Sequence, residues 1–262
     1  GHPFAHSRVT GVRGDAAVAG SLTQQPFDHL VLTGSPAVGK QVMAEAAKHL
    51  SSVTQELGGK SPVVIDSSAD LKRAANSICF GKFANNGQTC IAPDYVYVHQ
   101  SVKKDFLSAM TNAIEEKYGN QQDLISNSDY CRIVNQGHYE RVSGLIKSAV
   151  EEGASVYKGG ECIDSQRFVS PTILTEVNPD SEIMQQEIFG PVLPVLEFSD
   201  IDKVITTINS NPKPLALYVF SKQKQFTDKV IEKTSAGDSA INATVIHILH
   251  QNLPFGGVNN SG

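Results

Sequence analysis

Short runs of β-branched and other apolar residues alternate along the chain with longer stretches of helical periodicity. This alternation is typical of layered α/β proteins, and we predict a doubly wound, mostly parallel sheet. The pattern predicts buried strands at 29–33, 53–57, 62–65, 95–98, 168–174, 192–198, 215–220 and 238–242. It predicts the main helices at 37–50, 69–85, 102–117, 135–151, 201–209 and 223–234.

A domain boundary is expected at Gly58-Gly59, because two consecutive glycines allow a sharp change of chain direction. The predicted divisions are 1–58, 59–250 and a short final segment, 251–262. The full length of 262 residues is enough for one large domain or two modest ones with a true core.

Charge and composition exclude several function classes. The 22 basic and 27 acidic residues are scattered and give a net charge of -5, which argues against a nucleic-acid partner. No apolar run approaches the roughly 20 residues of a membrane span, and the first residues lack the apolar core of a signal peptide. The chain does not begin with methionine, so we expect it to be a processed or cut piece.

The cysteines are Cys79, Cys90, Cys131 and Cys162, at wide and irregular spacings. Because no Cys-x-x-Cys or paired His/Cys cluster occurs, we expect no metal site. Reduced thiols and a cytoplasmic location are the expectation, although an even count also allows two disulfides.

Cys90 ends the segment Asn85-Asn86-Gly87-Gln88-Thr89-Cys90, a polar turn at the end of a predicted helix. Backbone N–H groups at such a turn stabilise a thiolate and later an oxyanion, so Cys90 is a candidate nucleophile. The alternative is a small buried core thiol.

Glu56 stands at the end of an apolar strand, just before Gly58-Gly59, where a carboxylate can act as a general base. The alternative is a solvated carboxylate paired with Lys60.

Gly34, Ser35 and Gly39 belong to a glycine-containing loop between a strand and a helix, which suits a pyrophosphate. Gln41 follows Gly39-Lys40 where a P-loop has Ser or Thr, so the P-loop signature is incomplete.

Glu187 and Phe189 lie together in the segment Glu187-Ile188-Phe189-Gly190-Pro191. The acid is suited to accept ribose hydroxyls and the ring to pack on a flat cofactor. The alternative is a turn with one core phenylalanine.

In combination these motifs resemble the aldehyde dehydrogenase superfamily. The matching segments are, in order, FDHLVLTGSPAVGK, QELGGKSP, NNGQTCIAPDYV, SPTIL, QEIFGPVLPV and LPFGGVNNSG. The segment GQTCIAPDYV, together with His247 before LPFGGV, is most similar to the class 3 branch of fatty, aromatic and coniferyl-type aldehyde dehydrogenases. The resemblance implies part of an NAD(P)-binding domain at 1–58, a catalytic domain at 59–250 and a return segment at 251–262.

The resemblance also implies roles for single residues. Cys90 matches the catalytic nucleophile and Glu56 the base that activates water. Gly34, Ser35 and Gly39 match the loop that holds NAD or NADP, and Glu187 and Phe189 match the residues beside the nicotinamide ribose. The implied parent is a homodimer that oxidises a small-molecule aldehyde to a carboxylic acid.

The chain departs from the family pattern in three places. No segment matches the usual N-terminal stretch or the C-terminal tail, so we expect truncation at both ends and weak or absent activity. Asn259 stands where the family usually has a glycine, and asparagine best tolerates the positive φ that such a glycine permits.

Two alternative functions remain. A CoA-acylating relative does not need the water-activating base that Glu56 provides. A non-catalytic structural or binding protein has no reason to keep both Cys90 and Glu56.

Overall fold

The computed structural model describes residues 10–262, apart from the side chains of 121 and 122. The chain divides into two compact units, of which the first ends at Glu56 and the second runs from Leu57 to Gly262.

The first unit contains two parallel strands and two helices. These are α1 (Ala16–Thr23), β1 (His29–Thr33), α2 (Pro36–Ala47) and β2 (Ser52–Glu56). The strands run in register, with His29 opposite Ser52 and Thr33 opposite Glu56. The predicted strands are thus confirmed, whereas α2 ends before the predicted limit of residue 50.

A seven-stranded sheet forms the centre of the second unit. Its strands and those of a small ribbon are β3 (Pro62–Ile65), β4 (Tyr95–His99), β5 (Ser155–Lys158), β6 (Cys162–Ile163), β7 (Phe168–Val169), β8 (Thr172–Thr175), β9 (Val192–Phe198), β10 (Ala216–Phe220) and β11 (Asp238–Ile241). The order is β11-β10-β3-β4-β9-β8-β5, and every pair is parallel except β5 with β8. The predicted α/β class and mostly parallel sheet are confirmed.

Helices cover both faces of this sheet. They are α3 (Leu71–Phe83), α4 (Lys103–Tyr118), α5 (Gln121–Ser126), α6 (Gln136–Glu151), α7 (Glu182–Gln185), α8 (Ile201–Ser210) and α9 (Lys224–Lys233). Val63 and Ile65 of β3 join the core under α3 and α4, whereas Val64 joins the core on the face of α6, α8 and α9. Alternate side chains of one strand thus enter opposite cores.

The predicted single strand at 168–174 is wrong. Residues Phe168–Val169 pair with β6 in a two-stranded ribbon, and only Thr172–Thr175 enters the large sheet. The Ser170 N–H donates to the Glu161 carbonyl at 2.9 Å, and Pro171 has no N–H to give to a ladder. The chain therefore changes sheets at these two residues.

Strand order also explains which loops can meet. Cys90 precedes β4, Glu187 precedes β9 and Gly59 precedes β3. Because β3, β4 and β9 are consecutive neighbours and parallel, their amino ends lie along one edge of the sheet. The three segments are therefore brought together at that edge.

Candidate active site

The turn before Cys90 begins where α3 ends at Phe83. Asn85, Asn86 and Gly87 follow with φ of 52°, 58° and 71°, three consecutive left-handed residues. Asparagine and glycine are the residues that adopt this conformation most readily, so the Asn-Asn-Gly sequence explains the tight turn. It ends the helix two residues earlier than the sequence predicts.

Gly87 is required for a second reason, which is a close contact with another backbone. A Cβ at this position would lie 2.3 Å from the carbonyl oxygen of Gly190. The Cys90 turn therefore packs directly on the loop that carries Glu187 and Phe189, hereafter the Glu187 loop (186–191). Two motifs almost a hundred residues apart in sequence thus form one local structure.

Amide side chains hold the turn in place. Gln88 Nε2 donates to the Arg132 carbonyl at 3.2 Å, and its Oε1 accepts from the Val134 N–H at 2.9 Å. Asn86 Nδ2 donates to the Cys131 carbonyl at 3.1 Å. All three bonds reach the same segment, 131–134, which fixes the turn against the body of the second unit.

Cys90 is half-buried and packs against the core on the α3 side of the sheet. The next residue, Ile91, accepts a 2.6 Å hydrogen bond from the Tyr218 hydroxyl through its carbonyl. Cys90 is therefore neither a fully buried core thiol nor a loosely held surface thiol.

The other thiols differ in environment, and no disulfide joins any of the four cysteines. Burial raises the pKa of Cys79 to about 12 and that of Cys162 to about 11, which suppresses their thiolates at neutral pH. Cys131 is exposed. It provides an internal standard for an accessible thiol.

Glu187 turns its carboxyl group toward Gly58 and Gly59. A Cβ on Gly58 would lie 2.3 Å from a Glu187 carboxylate oxygen, so a side chain at position 58 is incompatible with this placement. Burial raises the pKa of Glu187 to about 7, and the charge of Asp94 adds to the rise. The Gly59 N–H, Lys60 and Arg141 act in the opposite direction.

Phe189 is half-exposed and has φ of 44°, a left-handed conformation that is unusual for an aromatic residue. It is therefore not the buried core phenylalanine of the alternative interpretation. Ile188, beside it, is the fully buried residue of this loop.

The sequence analysis did not predict a group of buried charged side chains near the Glu187 loop, which are Lys60, Lys82 and Asp94. Lys60 forms an ion pair with Asp94, whose side chain is 3% exposed. Lys82 is 1% exposed, and burial lowers its pKa to about 8. The available signals were a lysine within the apolar stretch Cys79–Phe83 and an aspartate directly before a buried strand.

In the first unit, Glu56 and the Gly34 loop lie next to one another. The Glu56 carbonyl accepts from the Gly34 N–H at 3.0 Å, and the Ser35 hydroxyl caps α2 by accepting from the Val38 N–H at 3.4 Å. Gly39 is buried, and its N–H donates to the Ser35 carbonyl at 2.9 Å. The loop is thus a strand-to-helix turn with an exposed helix start.

His247 is more buried than a surface histidine, since its side chain is 10% exposed. Within residues 10–262 neither ring nitrogen has a hydrogen-bond partner, and Nε2 lies 3.9 Å from Asp238 Oδ2. Its ring packs near that of Tyr218, with centroids 5.9 Å apart. Burial lowers the pKa of His247, and Asp238 partly offsets that change.

Asn259 has φ of 57°. It therefore adopts the left-handed conformation expected where the family usually has glycine. The Val258 N–H donates to the Ser261 hydroxyl at 2.8 Å, and the Ser261 carbonyl accepts from the Leu57 N–H at 2.9 Å.

The part of the chain that the structure describes holds no group of three or more His, Cys, Asp or Glu residues placed to bind a metal. In that same part, no helix has both the length and the apolar surface needed to cross a membrane.

Comparisons with known proteins agree with the motifs. The model of the aldehyde dehydrogenase family matches residues 7–262. The chain is 45% identical to the 4,4'-diaponeurosporen-aldehyde dehydrogenase of Staphylococcus aureus, covering 99% of this chain and 55% of that enzyme. It is 45% identical to the dimeric NADP-preferring aldehyde dehydrogenase of Rattus norvegicus, covering 96% and 54%.

A solved structure of the substrate-bound state of Staphylococcus aureus AldH matches with a TM-score of 0.91 and 45% identity, over 96% of this chain and 54% of that one. Relatives also include the mouse aldehyde dehydrogenase family 3 member A2, at 43% identity. The chain spans about half the length of the curated relatives it matches. With the family model matched along nearly its whole length, this chain belongs to the aldehyde dehydrogenase family.

Proposed function

We propose that the whole protein oxidises an aldehyde to a carboxylic acid with NAD or NADP, through a thioester on Cys90. The observation that carries this proposal is the left-handed turn before Cys90. Asn86 and Gln88 hold this turn by hydrogen bonds, and it packs on the Glu187 loop. A core thiol has no need of three left-handed residues and a close backbone contact beside it.

The first step is nucleophilic addition. The Cys90 thiolate attacks the aldehyde carbon, which forms a C–S bond and moves the carbonyl π electrons to oxygen. The Cys90 N–H lies beside the new oxyanion in the proposed arrangement and donates to it. The C=O bond of the thiohemiacetal then re-forms as its C–H bond breaks, and the hydrogen leaves as hydride with both electrons of that bond, which gives a thioester.

The second step is hydrolysis. Glu56 takes a proton from water as the water oxygen adds to the thioester carbon. The C–S bond then breaks, which releases the carboxylic acid and returns Cys90 to its thiolate form. Glu56 distinguishes this outcome from acyl transfer to a thiol such as CoA, which does not require water activation.

A nicotinamide cofactor supplies the hydride acceptor when bound. The residues suited to hold it are the exposed Gly34-Ser35 turn at the amino end of α2, where the helix dipole favours phosphate, and Glu187, whose carboxyl suits ribose hydroxyls. Phe189 lies two residues farther along the same loop and is half-exposed. We propose domain roles to match, with cofactor binding in 1–58, thiol chemistry in 59–250 and a return segment in 251–262.

We propose an aromatic or medium-chain aldehyde as the substrate class. Three apolar side chains near His247 are strongly exposed, at 54% for Ile246, 76% for Leu249 and 55% for Leu253. Such a surface beside the segment that contacts Tyr218 suits an apolar aldehyde tail. By analogy with the dimeric rat relative we also propose a homodimer for the parent, in the cytoplasm.

The test is to mix this chain with benzaldehyde or octanal plus NAD or NADP and to follow reduced nicotinamide by absorbance. We expect turnover below that of the full-length parent, because half of the relatives' length lies outside this chain. Cys90→Ser is expected to abolish reduction. Glu56→Gln is expected to permit at most one equivalent of reduction per chain, since the thioester is not hydrolysed.

A second readout does not depend on the cofactor. Iodoacetamide at neutral pH, followed by peptide mass spectrometry, is expected to label Cys90 at least ten times faster than the exposed Cys131. Equal rates at the two cysteines, together with no turnover, would contradict a nucleophilic role and favour a non-catalytic protein that uses the same fold.

A further inference from the structure

The backbone that leads into the Glu187 loop is held by side chains from other elements. Lys60 Nζ donates to the carbonyls of Ile183 and Gln186, at 2.8 and 2.9 Å. Asp94 Oδ1 accepts from the Ile188 N–H at 2.9 Å, while Oδ2 pairs with Lys60. One ion pair thus holds three main-chain atoms, the Ile183 carbonyl just before the loop and the Gln186 carbonyl and Ile188 N–H within it.

A third side chain completes this arrangement from α6. Arg141 Nη1 donates to the Glu187 carbonyl at 3.0 Å, and Nη2 donates to the Ile188 carbonyl at 2.7 Å. Ile188 is therefore held on both sides, at its N–H by a carboxylate and at its carbonyl by a guanidinium.

Burial makes this arrangement unusual for a merely stabilising ion pair. The side chains of Lys60 and Asp94 are 13% and 3% exposed. Removing both charges from water is costly, and apolar residues of similar volume often stabilise a fold as well or better. Buried charges of this kind are better explained when they hold a geometry that apolar contacts would not specify, since hydrogen bonds to main-chain atoms are directional.

We propose that Asp94, Lys60 and Arg141 act as a positioning clamp that fixes the Glu187 loop, so that the Glu187 carboxyl stays over Gly58-Gly59. This inference rests on the proposed cofactor role of Glu187. The clamp residues are positioning residues, because their contacts are to the loop backbone.

Within residues 10–262, the charged groups that act on Glu187 are those of the clamp together with Lys82 of α3. Asp94 is the one carboxylate among them and raises the pKa of Glu187, whereas Lys60 and Arg141 lower it. The clamp therefore influences both the position of Glu187 and its protonation.

The test compares Asp94→Asn with Asp66→Asn in the 262-residue chain. Asp66 is a matched control because it is another buried carboxylate, 6% exposed, that accepts from Ser68 and Ser221 directly after β3. Amide hydrogen exchange is read at Ile188, and the Glu187 carboxyl is titrated by NMR.

For Asp94→Asn we expect Ile188 exchange to rise at least ten-fold and the pKa of Glu187 to fall. Asp66→Asn is expected to change neither quantity, even where it lowers stability. If Asp94→Asn does not fold, Arg141→Gln is measured instead, with the same expected rise at Ile188. Exchange within two-fold of wild type, in whichever of these variants folds, overturns the proposal.

The exchange and NMR samples contain neither cofactor nor aldehyde. The outcome of these measurements is therefore independent of turnover, and Cys90 alkylation reports separately on the proposed function. If the exchange result overturns the clamp while Cys90 is still selectively alkylated, only the positioning role is lost and the proposed function stands.

Discussion

Glu187 provides the first prediction, because burial disfavours the charged form of its carboxyl group. Its pKa is raised from 4.5 to about 7. The native state therefore holds this proton more tightly than the unfolded chain does. Stability from this group is fully present below pH 4.5 and is lost as the pH rises through 7.

The magnitude follows from the size of the shift. One pKa unit corresponds to 1.36 kcal/mol, so a rise from 4.5 to about 7 corresponds to about 3 kcal/mol. Glu187→Gln imitates the protonated acid and keeps an oxygen that can accept from the Gly59 N–H. The variant is therefore expected to match wild type at pH 4 and to exceed its stability by about 3 kcal/mol at pH 8.

The assay is urea unfolding at several pH values between 4 and 8. The chain has no tryptophan, and its seven tyrosines all lie within 57–262, so tyrosine fluorescence reports on the second unit. The difference between variant and wild type removes the contribution of histidines and other groups that titrate in this range.

Glu197→Gln is the control, since Glu197 is a carboxylate of β9 whose side chain is 56% exposed. It makes the same chemical change at an exposed position and so measures the effect of the substitution itself. A Glu187→Gln difference that stays flat from pH 4 to 8 would refute the reasoning, because the carboxyl would then not be held in an unfavourable environment.

Three further substitutions test the geometry. Gly87→Ala is expected to cost more than about 2 kcal/mol by urea unfolding and to reduce selective alkylation of Cys90, because the new Cβ meets the Gly190 carbonyl at a φ of 71°. Asn259→Gly is expected to change stability by less than about 1 kcal/mol, whereas Asn259→Val is expected to destabilise clearly, because φ is 57°. Asn135→Ala is expected to lower the melting temperature through loss of about 1 kcal/mol, since Asn135 caps α6 by accepting from the His138 N–H at 2.9 Å.

The regular elements were predictable where periodicity and local chemistry agree. The strands at 62–65 and 192–198 have the predicted limits, because apolar runs, interrupted in the second strand only by Glu197, mark strands that are largely buried on both faces. Residues 155–158 lack the apolar run that marks a buried strand, and no strand was predicted there. This edge strand β5 exposes Val156 and Tyr157 by 42% and 47%, so its side chains lack the pattern of a buried strand.

Motifs predict the chemical residues proposed for the site, but they did not predict the residues that hold them. Turn chemistry marks Cys90, since Asn-Asn-Gly specifies a left-handed turn from sequence alone. The clamp has no local signature, because Lys60, Asp94 and Arg141 come from three elements and meet only after β3, β4 and β9 pair.

A charge in an apolar sequence context is nevertheless informative once the strand order is known. Lys82 lies between Gly81 and Phe83 in a helix whose last turn is buried, and Asp94 directly precedes a strand buried on both faces. Neither side chain can reach water, so each requires opposite charge or main-chain partners nearby. Because the amino ends of β3, β4 and β9 share one edge, those partners must come from the loops at that edge. Asp94 meets this requirement, since it pairs with Lys60 and accepts from the Ile188 N–H, and through these contacts it holds the Glu187 loop.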